Sequence, residues 1–173
     1  KANGNISSST GTGSVEQVQI SGAEHEFGSA QNLSLNNISG SASSDNYQAN
    51  IGSIEGSNLS SSGNNLESLN LQSISGNVNR DLSSGTGSLE SMNASGFSGN
   101  TQVGEKNINY NAGNTSLNNL DVGFNSQNEN ISAHGSFQSL QSKDLHIDGV
   151  TSVDDISIQD VRANHSLENS SMQ

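Results

Sequence analysis

Apolar residues along this chain keep returning in one spacing, set in a background of Ser, Asn and Gly. Leu66, Leu69, Leu71 and Ile74 fall at offsets 0, 3, 5 and 8, as do Leu89, Met92, Ala94 and Phe97, and then Val153, Ile156, Ile158 and Val161. Val15, Val18 and Ile20 match the first three offsets, and so do Ala30, Leu33 and Leu35, followed by Ile38. A small residue and Ser usually introduce the run, as in "TGSV" (12–15), "IGSI" (51–54), "TGSL" (86–89), "HGSF" (134–137) and "VTSV" (150–153). On a helix these offsets point to about 0°, 300°, 140° and 80°, which makes no single stripe. On a strand, positions 3 and 5 share a face, and each step of three keeps that face only where the chain bends or bulges.

The pattern therefore predicts short strands joined by bends, with the apolar side chains kept on one side. In "LSLNNISG" (33–40), Leu33 and Leu35 form the strand, Asn36 and Asn37 the bend, and Ile38 the next inward residue. The expected core is Val15, Val18, Ile20, Leu33, Leu35, Ile38, Ile54, Leu66, Leu69, Leu71, Ile74, Leu89, Met92, Phe97, Leu117, Leu120, Val122, Phe137, Leu140, Leu145, Ile147, Val153, Ile156, Ile158 and Val161. Repeat anchors at 15, 30, 54, 66, 89, 117, 137 and 153 lie about 20 residues apart on average, the period of a solenoid repeat. The expected fold is all-β: a β-solenoid, a parallel β-helix-like stack of about seven to eight irregular coils. It forms one domain over 1–173, with polar end segments at 1–11 and 164–173. Segments 41–50 and 99–114 read as loops inserted between coils.

Composition sharpens this picture. Of 173 residues, 36 are Ser, 26 Asn and 19 Gly, hydrophobic residues make up 28%, and Pro and Cys are absent. An ordinary two-layer domain runs to roughly 45–50% apolar, so a thick core is not expected. Proline would remove a backbone donor from a ladder that uses every one, and its absence fits stacked strands. The formal charge is −12, from 17 acids and 5 bases, which repels nucleic acid and anionic membrane. No apolar run reaches the ~18 residues of a membrane helix, so no membrane insertion is expected. A chain opening at Lys1 reads as a processed product.

Candidate chemistry is sparse. His25 in "EHE" and His146 in "DLHID" stand beside carboxylates, without the paired spacing of a zinc site. Asp144, Asp148, Asp154 and Asp155, with Asp160 nearby, are the calcium candidates, since calcium seeks oxygen ligands. The calcium-binding glycine-rich nonapeptide and the EF-hand loop are both missing, and the favoured reading is no metal and no cofactor. There is no G-x-S-x-G elbow, phosphate loop or H-E-x-x-H, and the expectation is not an enzyme. Asn-x-Ser occurs nine times and reads as strand alternation in an Asn/Ser-rich chain rather than as glycan acceptors.

"LESLNLQSI" (66–74) matches the opening of a leucine-rich repeat, but Ile74 stands where that family needs Asn or Cys. The Gly/Ser/Asn/Gln-rich repeats near twenty residues, short of Pro and Cys, resemble secreted bacterial β-solenoids. Those are curlin-type fibre subunits and filamentous-haemagglutinin-like adhesins, although the Q-x-G-x-x-N core of curlin repeats is not found. The resemblance implies a secreted, extracellular or cell-surface structural protein, a subunit of a self-assembling biofilm-matrix or surface filament. Its expected partners are copies of itself, head to tail, with surface glycans or a nucleating outer-membrane protein as further partners. The alternative is a monomeric β-solenoid adhesin or other ligand-binding module for glycan, calcium or ice.

Overall fold

The computed structural model describes residues 2–6, 10–26, 28–104, 106–127, 130–149 and 151–167. Nine strands follow one another: β1 (Ala2–Ile6), β2 (Gly11–His25), β3 (Gly28–Ala42), β4 (Asn46–Ser61), β5 (Asn64–Asn79), β6 (Ser84–Val103), β7 (Lys106–Gln127), β8 (Asn130–Ile147) and β9 (Thr151–Leu167). They lie in one sheet in the order β1 to β9, every neighbouring pair antiparallel. The result is an open meander of long hairpins. Ser62 and Gly63, for example, link β4 to β5 with φ of 49° and 81°. Two successive positive φ values mark the turn whose twist matches that of flanking strands.

The fold is all-β as the pattern predicts, but the strands are antiparallel, and this corrects the parallel stack of coils. The reason lies in the motif itself. Offsets 0, 3, 5, 8 read the same backwards, so they align equally well between parallel and antiparallel neighbours. The register shows this alignment directly. One column of paired residues runs Val15, Ile38, Ile51, Ile74, Leu89, Leu120, across to Phe137 and Val161. A second runs Val18, Leu35, Ile54, Leu71, Met92, Leu117, Leu140, Ile158. A third runs Ile20, Leu33, Gly56, Leu69, Ala94, Thr115, Ser142, Ile156. A fourth holds Ala23, Ala30, Leu59, Leu66, Phe97, Ala112, Leu145 and Val153. The seven or eight expected coils are thus the eight long strands β2 to β9. Of the two expected loops, 46–50 belong to β4, and 99–103 and 106–114 are strand residues at the closed end of the β6–β7 hairpin. Of the expected end segments, residues 2–6 form β1 and 164–167 close β9, while 1, 7–9 and 168–173 lie outside the described residues.

The step of three has a local cause. Each of β2 to β9 carries one residue in the left-handed region within its length: Gly22, Asn37, Asn58, Ser73, Gly96, Asn119, Asp144 and Asp160, with φ between 47° and 64°. Those in β3, β5, β7 and β9 stand between the first and second columns, and those in β2, β4, β6 and β8 between the third and fourth. Register is kept one for one across both rows, so the strands bend without the extra residue of a bulge. Asn and Asp tolerate this conformation better than other non-glycine residues. The bend expected at Asn36 and Asn37 is found at Asn37, with φ 54°. Replacing Asn119 (φ 51°) with Val puts a β-branched side chain in a left-handed position. The expected loss is about 1–2 kcal/mol of stability, against less than about 0.5 for Asn119→Gly; urea midpoints measured in parallel check the difference.

Candidate assembly interface

The four apolar columns cover one face. Across the second bend row, Leu59 folds its Cδ1 over Gly56, to 3.0 Å from where a Cβ would stand, so the third and fourth columns share a side. The first and second columns are joined by the same step. Two residues beyond the first column, on the same face, lies a column of small residues: Gly13, Gly40, Ala49, Gly76 and Gly87, then Val122, Gly135 and Ala163. It forms a shallow channel between the first column and an outer ridge that includes Tyr47, Val78 and Phe124. Near Gly85 and Gly87 the channel widens to an apolar hollow of about 540 Å³. Phe97 and Tyr110, stacked at 5.7 Å between ring centroids, extend the face beyond the fourth column.

No second layer of described residues covers this face. Among the described residues only Ala112 is a buried apolar side chain, and Val18, Ile20, Phe97, Val122 and Ile158 are 37–47% exposed. Every residue of the expected core lies in the sheet. Most sit in the four columns, with Val122 in the small-residue column and Ile147 beyond the fourth, but they are half-exposed and form a face instead of an interior. Ile51 and Leu59 belong to the columns and are missing from the sequence reading. Running the palindromic offsets from the other end of β4 finds both.

The polar positions between the columns are tied across strands. Gln17 Nε2 donates to Asn36 Oδ1 at 2.9 Å, and Asn36 Nδ2 donates to Ser53 Oγ at 2.9 Å. Asn118 Nδ2 donates to Ser139 Oγ at 2.9 Å, and the hydroxyl pairs Ser68–Ser95 and Ser75–Ser88 meet at 2.7 Å. Such pairs contribute a few tenths of a kcal/mol each and fix register. One ladder atom, Asn70 Oδ1, is enclosed without a partner. The bend rows carry exposed Glu16, Glu67, Glu90, Asp144, Asp154 and Asp160, six acids that stand beside the apolar columns and not in them.

Among the described residues the sheet has two open edges. β9 pairs only with β8, leaving the outer side of Thr151–Leu167 free. At the opposite end β1 covers Gly11–Val15 of β2, and no described strand pairs with Glu16–Glu24 on that side. An unpaired strand edge is a template for another strand.

The calcium candidates do not converge. Asp144 and Asp154 face each other in the second bend row, Asp155 stands opposite Lys143, and Asp148 lies at the β8–β9 turn. Among the described residues no three His, Cys, Asp or Glu side chains gather as metal ligands. Asp148 instead accepts Asn109 Nδ2 at 2.8 Å and meets His146 Nε2 at 3.1 Å, while His146 Nδ1 lies 2.6 Å from Ser152 Oγ. His25, the other singled-out histidine, lies exposed in β2. No helix is long and apolar enough to cross a membrane, among the described residues. No family model, curated protein or solved structure matches this chain.

The hydrogen bond from Asn109, and then that from His146, hold the Asp148 carboxyl below the ordinary carboxylate range. A lowered folded-state pKa means the contribution is present above the unfolded value and is lost as pH falls through the folded one. The Asp148 amide, bonded to the Asn109 carbonyl at 3.0 Å, is expected to lose exchange protection only below the usual Asp range. In Asp148→Asn that acid step disappears; hydrogen exchange followed by NMR across acid pH measures both.

Proposed function

We propose that this chain is a structural subunit that polymerises edge to edge into an extracellular fibre or matrix, β9 of one copy adding to β2 of the next. The supporting observation is the match between the two open edges. β2 and β9 run in opposite directions, so joining them continues the antiparallel order. Continuing the columns sets Val161, Ile158, Ile156 and Val153 of one copy opposite Val15, Val18, Ile20 and Ala23 of the next. Bends alternate between rows from strand to strand, and this alternation also carries over, since Gly22 and Asp160 occupy different rows. In this register Ser152–Asp160 meets Glu16–Glu24, which no described strand covers, and displacing the five-residue β1 lengthens the pairing toward Gly11.

Backbone hydrogen bonds supply the adhesion, as in strand addition generally, and no side-chain chemistry is required. Pairing proceeds perpendicular to the strands, so the fibre has a repeat of about 4.7–4.8 Å along its axis. The acidic edges moderate it, because Asp160 then faces Glu16 and like charges across a strand pair oppose association. A net charge of −12 keeps unassembled copies soluble. The secreted or cell-surface setting and the filament partners belong to this same reading. A second reading, a monomeric ligand-binding module, draws on the hollow beside Tyr47 and Phe124, where an aromatic floor would meet a ligand ring.

Negative-stain microscopy and fibre diffraction of concentrated protein are expected to show filaments with the ~4.8 Å axial repeat. Glu16→Lys turns the opposed acids into an ion pair and is expected to shorten the assembly lag several-fold, and adding Asp160→Asn cancels most of that gain. Strictly monomeric particles at every concentration, or indifference to both substitutions, would overturn the edge-to-edge reading.

A further inference from the structure

The apolar face is a second, separate interface, and we infer that it closes against the same face of another copy to make a two-layer sandwich. The molecule exposes 11,746 Å², whereas a compact protein of 17.9 kDa exposes roughly 8,000 Å². The excess is the signature of a single layer. Eight strands about 4.8 Å apart and nine residues at about 3.3 Å each give the four columns a footprint of about 1,100 Å². A standard interface buries about 800 Å² on each partner, so this face exceeds what a stable dimer needs.

Charge identifies the occupant. The four columns hold 32 positions, eight strands by four, and 29 of these are aliphatic, Met or Phe. The others are Gly56, Thr115 and Ser142, so none of the 22 charged residues, 17 acidic and 5 basic, lies there. Two strongly acidic chains can therefore meet column on column with no charged side chain in the columns themselves, the nearest carboxylates being the exposed ones of the bend rows. The opposite face is not equivalent, since its Ser, Asn and Gln positions are already bonded across strands.

Shape agrees with charge. The column through Gly40, Gly76 and Gly87 is a channel crossing the strands, and a ridge of branched side chains from a facing sheet fits such a channel at the ~10 Å spacing of packed sheets. A two-fold axis lying between the sheets makes the contact isologous, the commonest form of dimer. Because edges and face are distinct surfaces, the sandwich does not depend on edge pairing. In a fibre it doubles the filament.

The chain has no Cys, so single thiols report on each surface. Leu71→Cys lies in the second column and Gln72→Cys beside it at an exposed polar position. At pH 8 and low salt, where the opposed acids disfavour edge pairing, sedimentation equilibrium is expected to give twice the 17.9 kDa chain mass. Thiol labelling of Leu71→Cys is expected to be at least tenfold slower than that of Gln72→Cys. Leu71→Glu is expected to return the protein to one chain mass with its β circular dichroism intact, and if that variant unfolds the labelling ratio still decides. A single-chain mass at 100 µM, or an oligomer whose two thiols react at equal rates, would overturn the sandwich; the second result would leave edge pairing standing.

Discussion

Inter-strand backbone hydrogen bonding is what everything else in this molecule hangs from. Each of β3 to β8 is paired on both sides, and only Ala112 among the described apolar side chains is buried. A backbone bond contributes roughly 0.5–1.5 kcal/mol net, so cohesion comes from the number and continuity of the ladders. Composition follows from that dependence. Small polar side chains add little buried area but do not disturb neighbours 4.8 Å away, and several of them bond across the strands at 2.7–2.9 Å. Proline, which would open a gap in a ladder, does not occur.

The second constraint is the pair of bend rows. A straight strand alternates faces, so offsets of three would send half of the apolar residues to the polar side. One left-handed residue per strand accompanies the bends, and placing it in opposite rows on neighbouring strands avoids setting two strained residues side by side. Asn37, Asn58, Asn119, Asp144 and Asp160 carry five of these eight positions. Three of the chain's 26 Asn thus have a conformational role.

Part of this was readable from the chain and part was not. The strand class, the face assignment of residues such as Leu69 and Leu71, and the bend at Asn37 all follow from the spacing of apolar positions. Strand direction does not, because a palindromic spacing carries no arrow. A signal for it exists in the first column, whose members at 15, 38, 51, 74, 89, 120, 137 and 161 are separated by alternating long and short intervals. Hairpins produce that alternation and equal coils do not. Half-exposure of the expected core was hidden as well, since periodicity reports which side a residue faces and not whether anything covers it. Asp144, Asp148, Asp154 and Asp155 cluster in sequence, yet the β8–β9 hairpin distributes them over two strands and a turn. The edge that β9 exposes depends on which strand comes last in the sheet, a property of the topology that no local pattern encodes.

The meander order has a mechanical consequence. Neighbouring strands are always consecutive in the chain, so the first and last strands sit at opposite borders of the sheet. Tension applied through the two ends therefore peels one hairpin at a time, breaking ladder bonds in succession instead of shearing a whole strand pair at once. Each strand released lengthens the chain while the rest of the sheet stays intact, toward a limit of about 600 Å for 173 residues. Such a sheet yields gradually and takes up work over a long extension, behaving as a tether with built-in slack.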